Sequence, residues 1–334
     1  MTTTVTKASA TPPDQPSWAP DSLLDGYEQL TLPLPNAKRA AGEPDDIELT
    51  GTLVRRNPST TKRAVLYVHG WSDYFFQTHL ADFFADQGVD FYAVDLRRYG
   101  RNLRTGLLAG YVEDLDDYCE ELDAAVEVIS ADHESITLMG HSTGGLIAVL
   151  WADQRPGAVD SVILNSPWLE LQAYSMLRSL TQPFLASISS WAPTRVLPLS
   201  DNGFYLRSIH DSGDGEWSYD LNLKGDPAFA VRVGWMSAVL AGHARVARGL
   251  SIDAPILVMT SSRSDFRRKW DDALKSSDIV LDVNNIAKRA AVLGEVVTLV
   301  RVKDGIHDLV LSAPHVRARV FDEMRRWMRG YVPD

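Results

Sequence analysis

Residues 135–148 read Ser-Ile-Thr-Leu-Met-Gly-His-Ser-Thr-Gly-Gly-Leu-Ile-Ala, and the order of residue types within them decides the fold. Ile136 to Met139 is a short apolar, β-rich run. It meets Gly140-His141-Ser142-Thr143-Gly144, and a helix-like run from Gly145 to Asp153 follows at once. This is G-x-S-x-G between a strand and a helix, the setting in which that pattern makes a sharp turn with the serine at its tip. Gly140 and Gly144 let the strand and helix backbones approach where a Cβ would collide. Ser142 then projects from the turn, and the helix N-terminus beneath it favours developing negative charge.

Working outward, Asp46 to Arg55 alternates apolar and polar residues as an antiparallel edge strand does. Arg63 to Val68 carries a continuous apolar run, expected of a strand buried on both faces. It ends in His69-Gly70-Trp71-Ser72-Asp73-Tyr74. Leu80, Phe83 and Phe84 have helical spacing, and Val89 to Asp95 is the next strand. Val112 to Ile129 reads as a long acidic amphipathic helix. After the serine turn and its helix comes the strand Ser161 to Asn165. Strands separated by helices imply a mostly parallel, doubly wound α/β sheet. From Trp168 to Leu250 the alternation breaks into mainly helical or irregular patterns rich in Trp, Leu, Phe and Pro. Strand–helix order resumes at Pro255 to Thr260, with a helix near Asp282 to Leu293. A last strand spans Glu295 to Val302 and a closing helix runs from about Pro314 to Gly330. The expected organisation is therefore a disordered lead-in over residues 1–25, an α/β core over 26–167 and 251–334, and a cap inserted over 168–250.

The chain has 334 residues, enough for a sizeable core. Its net charge of −11 argues against nucleic acid or an anionic membrane surface as the main partner. The single cysteine, Cys119, excludes an intrachain disulfide and a metal site of cysteine type. Its acidic surroundings disfavour a thiolate, so it reads as a packed small side chain. No apolar run reaches the length of a membrane span, and the Thr/Ala/Pro-rich start has no secretory signal pattern. A cytoplasmic protein is the expectation. Arg97, Arg98, Arg101 and Arg104 stand close together in the loop after Val89–Asp95. They can clamp an anionic substrate group, but pairing with Glu113, Asp114, Asp116 and Asp117 just downstream is the simpler expectation.

A serine hydroxyl is a poor nucleophile at neutral pH. It needs a base, a group to hold that base, and donors for the oxyanion. In an open parallel sheet such groups collect at the carboxyl ends of the strands. Ser142 follows the middle strand, and His307 lies in the loop Lys303-Asp304-Gly305-Ile306-His307-Asp308 after the last one. Of the eight histidines, His307 alone has that place in chain order. His210 and His243 fall in the insertion, His315 begins the last helix, and the His141 side chain is expected to point away from Ser142. Two aspartates compete to orient the base. Asp265 lies close to the end of Pro255–Thr260. Asp278 requires a loop that returns there, yet Ile279-Val280-Leu281 can pack after it and Asp282 can cap the following helix.

The chain resembles α/β-hydrolases of the monoacylglycerol lipase, lysophospholipase and serine aminopeptidase-like group, from about Asp46 to its C-terminus. The likeness is carried by Val68-His69-Gly70-Trp71, Asp95-Leu96-Arg97, Gly140 to Gly145, Ser277 to Asp282 and Gly305-Ile306-His307-Asp308. It implies the α/β-hydrolase fold and hydrolysis of a carboxylic ester through an acyl-enzyme. Ser142 would be nucleophile and His307 base. The family's acid, three residues and a capping acid match Asp278 and Asp282, which leaves Asp265 as the alternative. The resemblance puts the oxyanion donors on the backbone N–H groups of Trp71 and Thr143 and makes His69 a loop-fixing residue. The insertion matches the group's cap in position and character only. It is expected to cover Ser142 and line an apolar acyl pocket, with Tyr74 and Trp168 as candidate lining residues. A small ester with an apolar acyl group is the expected partner, and neither metal nor organic cofactor is called for. An amidase or peptidase of the same fold would use the same residues, whereas a non-catalytic binding module would need none of them.

Overall fold

The structure, a computed structural model, describes residues 17–56, 61–171, 188–199 and 202–332. Among these, nine strands form one sheet: β1 (Ala19–Pro20), β2 (Tyr27–Pro33), β3 (Thr50–Arg56), β4 (Arg63–Val68), β5 (Asp90–Asp95), β6 (Ser135–His141), β7 (Ser161–Asn165), β8 (Ile256–Ser261) and β9 (Val297–Val302). Their spatial order is β1-β2-β3-β5-β4-β6-β7-β8-β9. From β4 onward every pairing is parallel, and β3 joins β5 antiparallel. The continuous apolar run of β4 serves two cores, because successive strand side chains face opposite ways. Ala64, Leu66 and Val68 enter one core, and Val65 and Tyr67 the other.

The described helices are α1 (Thr78–Asp86), α2 (Cys119–Ser130), α3 (Thr143–Gln154), α4 (Phe204–Ile209), α5 (Leu221–Lys224), α6 (Val233–Arg248), α7 (Val283–Ala290) and α8 (Pro314–Tyr331). The chain leaves β4 for β5 on one side and then crosses to β6 on the other. The strand order thus reverses around β4, and the crevice at the carboxyl ends of β4 and β6 is where such folds bind ligands.

Three expectations are corrected. The Asp46–Arg55 strand is not an edge: β2 pairs along its outer side, from Tyr27 against Arg56 to Pro33 against Thr50. The mixed sequence Tyr-Glu-Gln-Leu-Thr-Leu-Pro of β2 has too weak an alternation to announce itself. Residues 17–25 are part of the fold rather than a disordered lead-in. Trp18 packs on Tyr92 beneath the Arg55 guanidinium, and Asp21 pairs with Arg101. Residues 1–16 lie outside the described ones. Finally, the acidic helix begins only at Cys119. Before it, Leu115–Tyr118 forms a tighter 3₁₀ turn, capped by the Asp114 carboxylate accepting from the Asp116 N–H. Burial pushes the Cys119 thiol up to about 11, in keeping with a packed side chain.

The arginine loop is built into the fold with partners other than those expected. Arg97 pairs with Glu121 at 2.6 Å and Glu120 at 3.0 Å, and Arg98 with Glu43 at 2.6 Å. Arg101 bridges Asp21 and Asp95. Arg104 donates to the carbonyls of Arg101 and Leu103. The end of β5 sets Arg97 against the first turn of α2, where Glu120 and Glu121 stand, and so past the acids just upstream. Asp117 supplies only its carbonyl oxygen to Arg97. Arg97 and Glu121 are both fully buried. Removing one partner of a buried pair leaves an uncompensated charge, at a cost of about 3–5 kcal/mol. Arg97→Met is therefore expected to lower the thermal midpoint by many degrees, measured by calorimetry or circular dichroism. Arg104→Ala should leave it nearly unchanged.

Candidate active site

Ser142 sits between β6 and α3 with φ 53° and ψ −117°, in the left-handed half of backbone space that a side chain normally avoids. Its surroundings hold it there. Its N–H donates to the Asn165 carbonyl at 3.1 Å, and its carbonyl accepts from Gly145 at 3.0 Å and Trp168 at 2.9 Å. The turn is tight enough to need glycine on both sides. A Cβ on Gly140 would lie 2.6 Å from the Gly144 carbonyl oxygen, and one on Gly144 would run into the carbonyls of Val68 and His69.

His307 lies in the loop after β9. Its Nε2 is 3.0 Å from Ser142 Oγ, and its Nδ1 is 3.0 Å from Asp278 Oδ2. All three residues are buried. Asp278 Oδ1 accepts from the N–H groups of Val280 and Leu281, at 2.8 and 2.7 Å. The long loop after β8 returns through a bridge of Ser264 with Asp278, which brings the acid back to the strand ends. Asp265 is turned outward onto the Arg267 guanidinium, which holds its carboxyl below the usual range. Asp282 caps α7 by accepting from the Asn284 N–H.

Sequence reasoning missed the residues that hold this loop. Asp308 is wholly buried, and its carboxylate accepts from Asn165 Nδ2 at 2.6 Å and from Gln77 Nε2 at 3.5 Å. Asn165 Oδ1 in turn accepts from the Leu309 N–H. The one available signal was a polar residue ending the apolar run of β7. His69 spans the loop after β4. Its Nε2 accepts from the Leu96 N–H, so Nδ1 carries the proton and donates to the Gly70 carbonyl. Burial lowers its pKa, which keeps it neutral.

A cavity of about 270 Å³ opens beside Ser142 and His307. The core contributes Trp71, Asp73 and His141 to its wall, and the segment between β7 and β8 contributes Tyr205, Ile209 and Lys224, among others. His141 corrects an expectation, since its ring lies on this wall with its centroid 5.0 Å from that of His307. The two candidate pocket residues do not line the cavity. The Tyr74 ring packs on Phe76 and its hydroxyl accepts from the Asp220 N–H. Trp168 lies against Trp235 and His243, and its carbonyl meets His243 Nε2 at 2.9 Å. Trp71 borders the cavity with its ring 3.7 Å from that of Trp235, centroid to centroid. Tyr205 leans edge-on against His307, and burial drives its hydroxyl pKa well above normal. Met176, Leu177, Leu180 and Phe184, bulky apolar residues of the inserted segment, lie outside the described residues. Among the described residues no group of His, Cys, Asp and Glu is arranged to hold a metal ion, and no helix is long and apolar enough to cross a membrane.

A mostly parallel sheet wound on both faces, with a serine at the β6–α3 turn and a histidine after the last strand, defines an α/β-hydrolase. Residues 59–265 match the family model described as serine aminopeptidase, S33, and the chain belongs to that family. It is 30% identical over 110 residues to phospholipase YtpA of Bacillus subtilis (strain 168), a match that takes in 32% of this chain and 41% of that protein's length. Among solved structures, a soluble variant of monoglyceride lipase from Saccharomyces cerevisiae superposes with a TM-score of 0.62 at 16% identity, over 90% of this chain and 98% of the other. The monoacylglycerol lipase of Paleococcus ferrophilus gives 0.59 at 18% identity, over 85% and 100%. At such identities these structures speak for the fold.

Proposed function

We propose that the protein hydrolyses carboxylic esters through an acyl-enzyme. The observation that carries this reading is His307, within 3.0 Å of both Ser142 Oγ and Asp278 Oδ2. Asp278 accepts the Nδ1–H of His307 and so leaves Nε2 free to take the Ser142 proton as Oγ attacks the carbonyl carbon. The N–H groups of Trp71 and Thr143 receive the oxyanion, the charge for which the N-terminus of α3 is suited. His307 then returns the proton to the leaving alcohol. In the second half, water repeats the attack on the acyl-enzyme with the same groups. The monoglyceride lipase and phospholipase relatives support a lipid-like ester, with residues 168–250 acting as a cap over the acyl group.

The description of the family favours a second reading, an aminopeptidase. Such an enzyme must hold a substrate ammonium beside the scissile bond. Among the described residues the one carboxylate on the cavity wall, Asp73, is already compensated by Lys224. That supports the ester. Labelling of Ser142 by a fluorophosphonate, with turnover of p-nitrophenyl esters of graded length but not of aminoacyl p-nitroanilides, is the expected outcome. The reverse preference would favour the peptidase, and no labelling would remove both readings.

Leu206 and Ile209 supply apolar wall from the inserted segment. A methylene in such a pocket is worth about 1–3 kcal/mol of discrimination. Leu206→Ala and Ile209→Ala are therefore expected to shift the kcat/KM optimum of the p-nitrophenyl ester series toward longer acyl chains. Labelling of Ser142 by a small fluorophosphonate should stay within about threefold. An unchanged chain-length profile would show that the acyl group lies elsewhere.

A further inference from the structure

The residues after Trp71 grip the inserted segment one after another. Ser72 Oγ donates to the Lys224 carbonyl at 2.8 Å and accepts from the Phe229 N–H at 3.2 Å. Asp73 Oδ1 is paired with Lys224 Nζ, and both side chains are buried. The Tyr74 hydroxyl accepts from the Asp220 N–H at 3.0 Å. Lys224 Nζ also lies over the rings of Phe76 and Tyr219, at 5.2 and 5.5 Å. Gly225 approaches so closely that a Cβ there would run into Ser72 Oγ.

Two physical points give this grip a meaning beyond stability. First, a buried ion pair is weak evidence for stability, because desolvating two charges offsets most of their attraction and apolar residues often serve as well. Burial acts to raise the Asp73 carboxyl, but Lys224 and then His141 bring it down to about 2, so Asp73 stands as a buried carboxylate against Lys224 Nζ. Second, Ser72 has φ 50°, in the left-handed region. A side-chain-bearing residue stays there only where its surroundings hold it, and the bonds made by the Ser72 side chain run to Lys224 and Phe229. The Trp71 N–H belongs to the Gly70–Trp71 peptide, and Ser72 φ turns beside the next one, Trp71–Ser72; holding Ser72 therefore fixes the peptide on the carboxyl side of Trp71 and, through it, limits the Trp71 torsions that aim its N–H.

We propose that Asp73 and Lys224 are positioning residues: through Ser72 they let the inserted segment set the direction of the Trp71 N–H, one of the two oxyanion donors. The proposal rests on the reading of Ser142 and Trp71 given above. It makes transition-state stabilisation depend on a seated cap, while ground-state binding in the cavity depends on it much less.

The test uses the full-length protein, p-nitrophenyl butyrate, and thermal melts beside the kinetics. Four variants are compared: Ser72→Ala, Asp73→Asn, Lys224→Met, and Asp73→Asn with Lys224→Met. Loss of one oxyanion donor costs about 10²–10³ in kcat, so a misdirected donor should cost about 10- to 100-fold, with KM within about threefold. Lys224→Met should also melt early, because Asp73 is left buried and unpaired. The double variant should regain much of that melting temperature and none of the kcat. A kcat that recovers with the melting temperature would reduce the pair to a structural contact and overturn the proposal. So would a loss carried wholly by KM. Ser72→Ala introduces no unpaired buried charge, and an unchanged kcat in it would overturn the proposal even where Lys224→Met fails to fold. Failure of the underlying reading shows differently, as a wild-type protein without ester turnover or a Ser142→Ala variant with full turnover.

Discussion

Ser142→Ala is expected to lower kcat for a p-nitrophenyl ester by about 10⁴-fold or more, with the protein folded and its melting temperature little changed. The hydroxyl is small, so its removal leaves almost no void, while the elbow is held by backbone bonds to Asn165, Gly145 and Trp168 that alanine keeps. His307→Ala should cost nearly as much in kcat. In the proposed mechanism the two groups act in one step, with Nε2 taking the proton that Oγ gives up across 3.0 Å. Once either is gone the other has nothing to do, so the double variant should lose little more than either single one. Residual turnover above the water rate would come from the oxyanion donors and binding. Losses that add across the two sites, or an active Ser142→Ala protein, would remove Ser142 and His307 as a catalytic unit. Steady-state kinetics on the three variants, with fluorophosphonate labelling as a check on the serine, decides it.

What could be seen in the sequence is what short-range sterics and chain order dictate. The Ser142 turn announces itself because two glycines are demanded within five residues, and the collisions a Cβ would make at Gly140 and Gly144 are the reason. The buried strands β4 to β8 are legible as apolar runs. β2 is not, since one of its faces is only partly covered and its residues are mixed. The arginine loop shows where local reasoning stops. Its guanidiniums were expected to find acids nearby in the chain, yet Arg98 meets Glu43 and Arg101 meets Asp21, 55 and 80 residues away. Likewise the Asp73–Lys224 pair spans 151 residues and Asn165–Asp308 spans 143. A charge announces only that it needs a partner, and tertiary packing selects which one. His141 departs from its expected course for a related reason. Its backbone position was readable, but the course of its side chain depends on Gly70 leaving room and on Asp73 and Asp308 flanking it.

The choice between Asp278 and Asp265 turns on the same distinction, and it gives the second large effect. Asp278→Asn is expected to lower kcat by about 10²–10⁴-fold. In the native site Oδ1 accepts two backbone N–H groups, from Val280 and Leu281, and Oδ2 faces His307 Nδ1 at 3.0 Å. An asparagine amide has one oxygen and one nitrogen for these two places. With its oxygen toward the backbone, it keeps two good bonds and presents N–H donors to His307. The imidazole must then accept at Nδ1 and carry its proton on Nε2, where it faces Ser142 Oγ and can no longer remove a proton from it. With the amide reversed, its N–H donors meet the two backbone donors in a buried site, leaving those groups unsatisfied. Either orientation keeps the shape of the site and spoils the base. Asp265→Asn should cost tenfold at most, because that side chain is engaged with Arg267 at the surface rather than with His307. A pH–rate profile adds a further check. The Asp278→Asn enzyme should regain activity in strongly alkaline solution, where hydroxide can do the work of the misplaced base, while Asp265→Asn should follow the wild-type profile. The opposite ranking of the two variants would mean that the orienting acid is Asp265, reached by a rearrangement of the loop between Ser262 and Asp278.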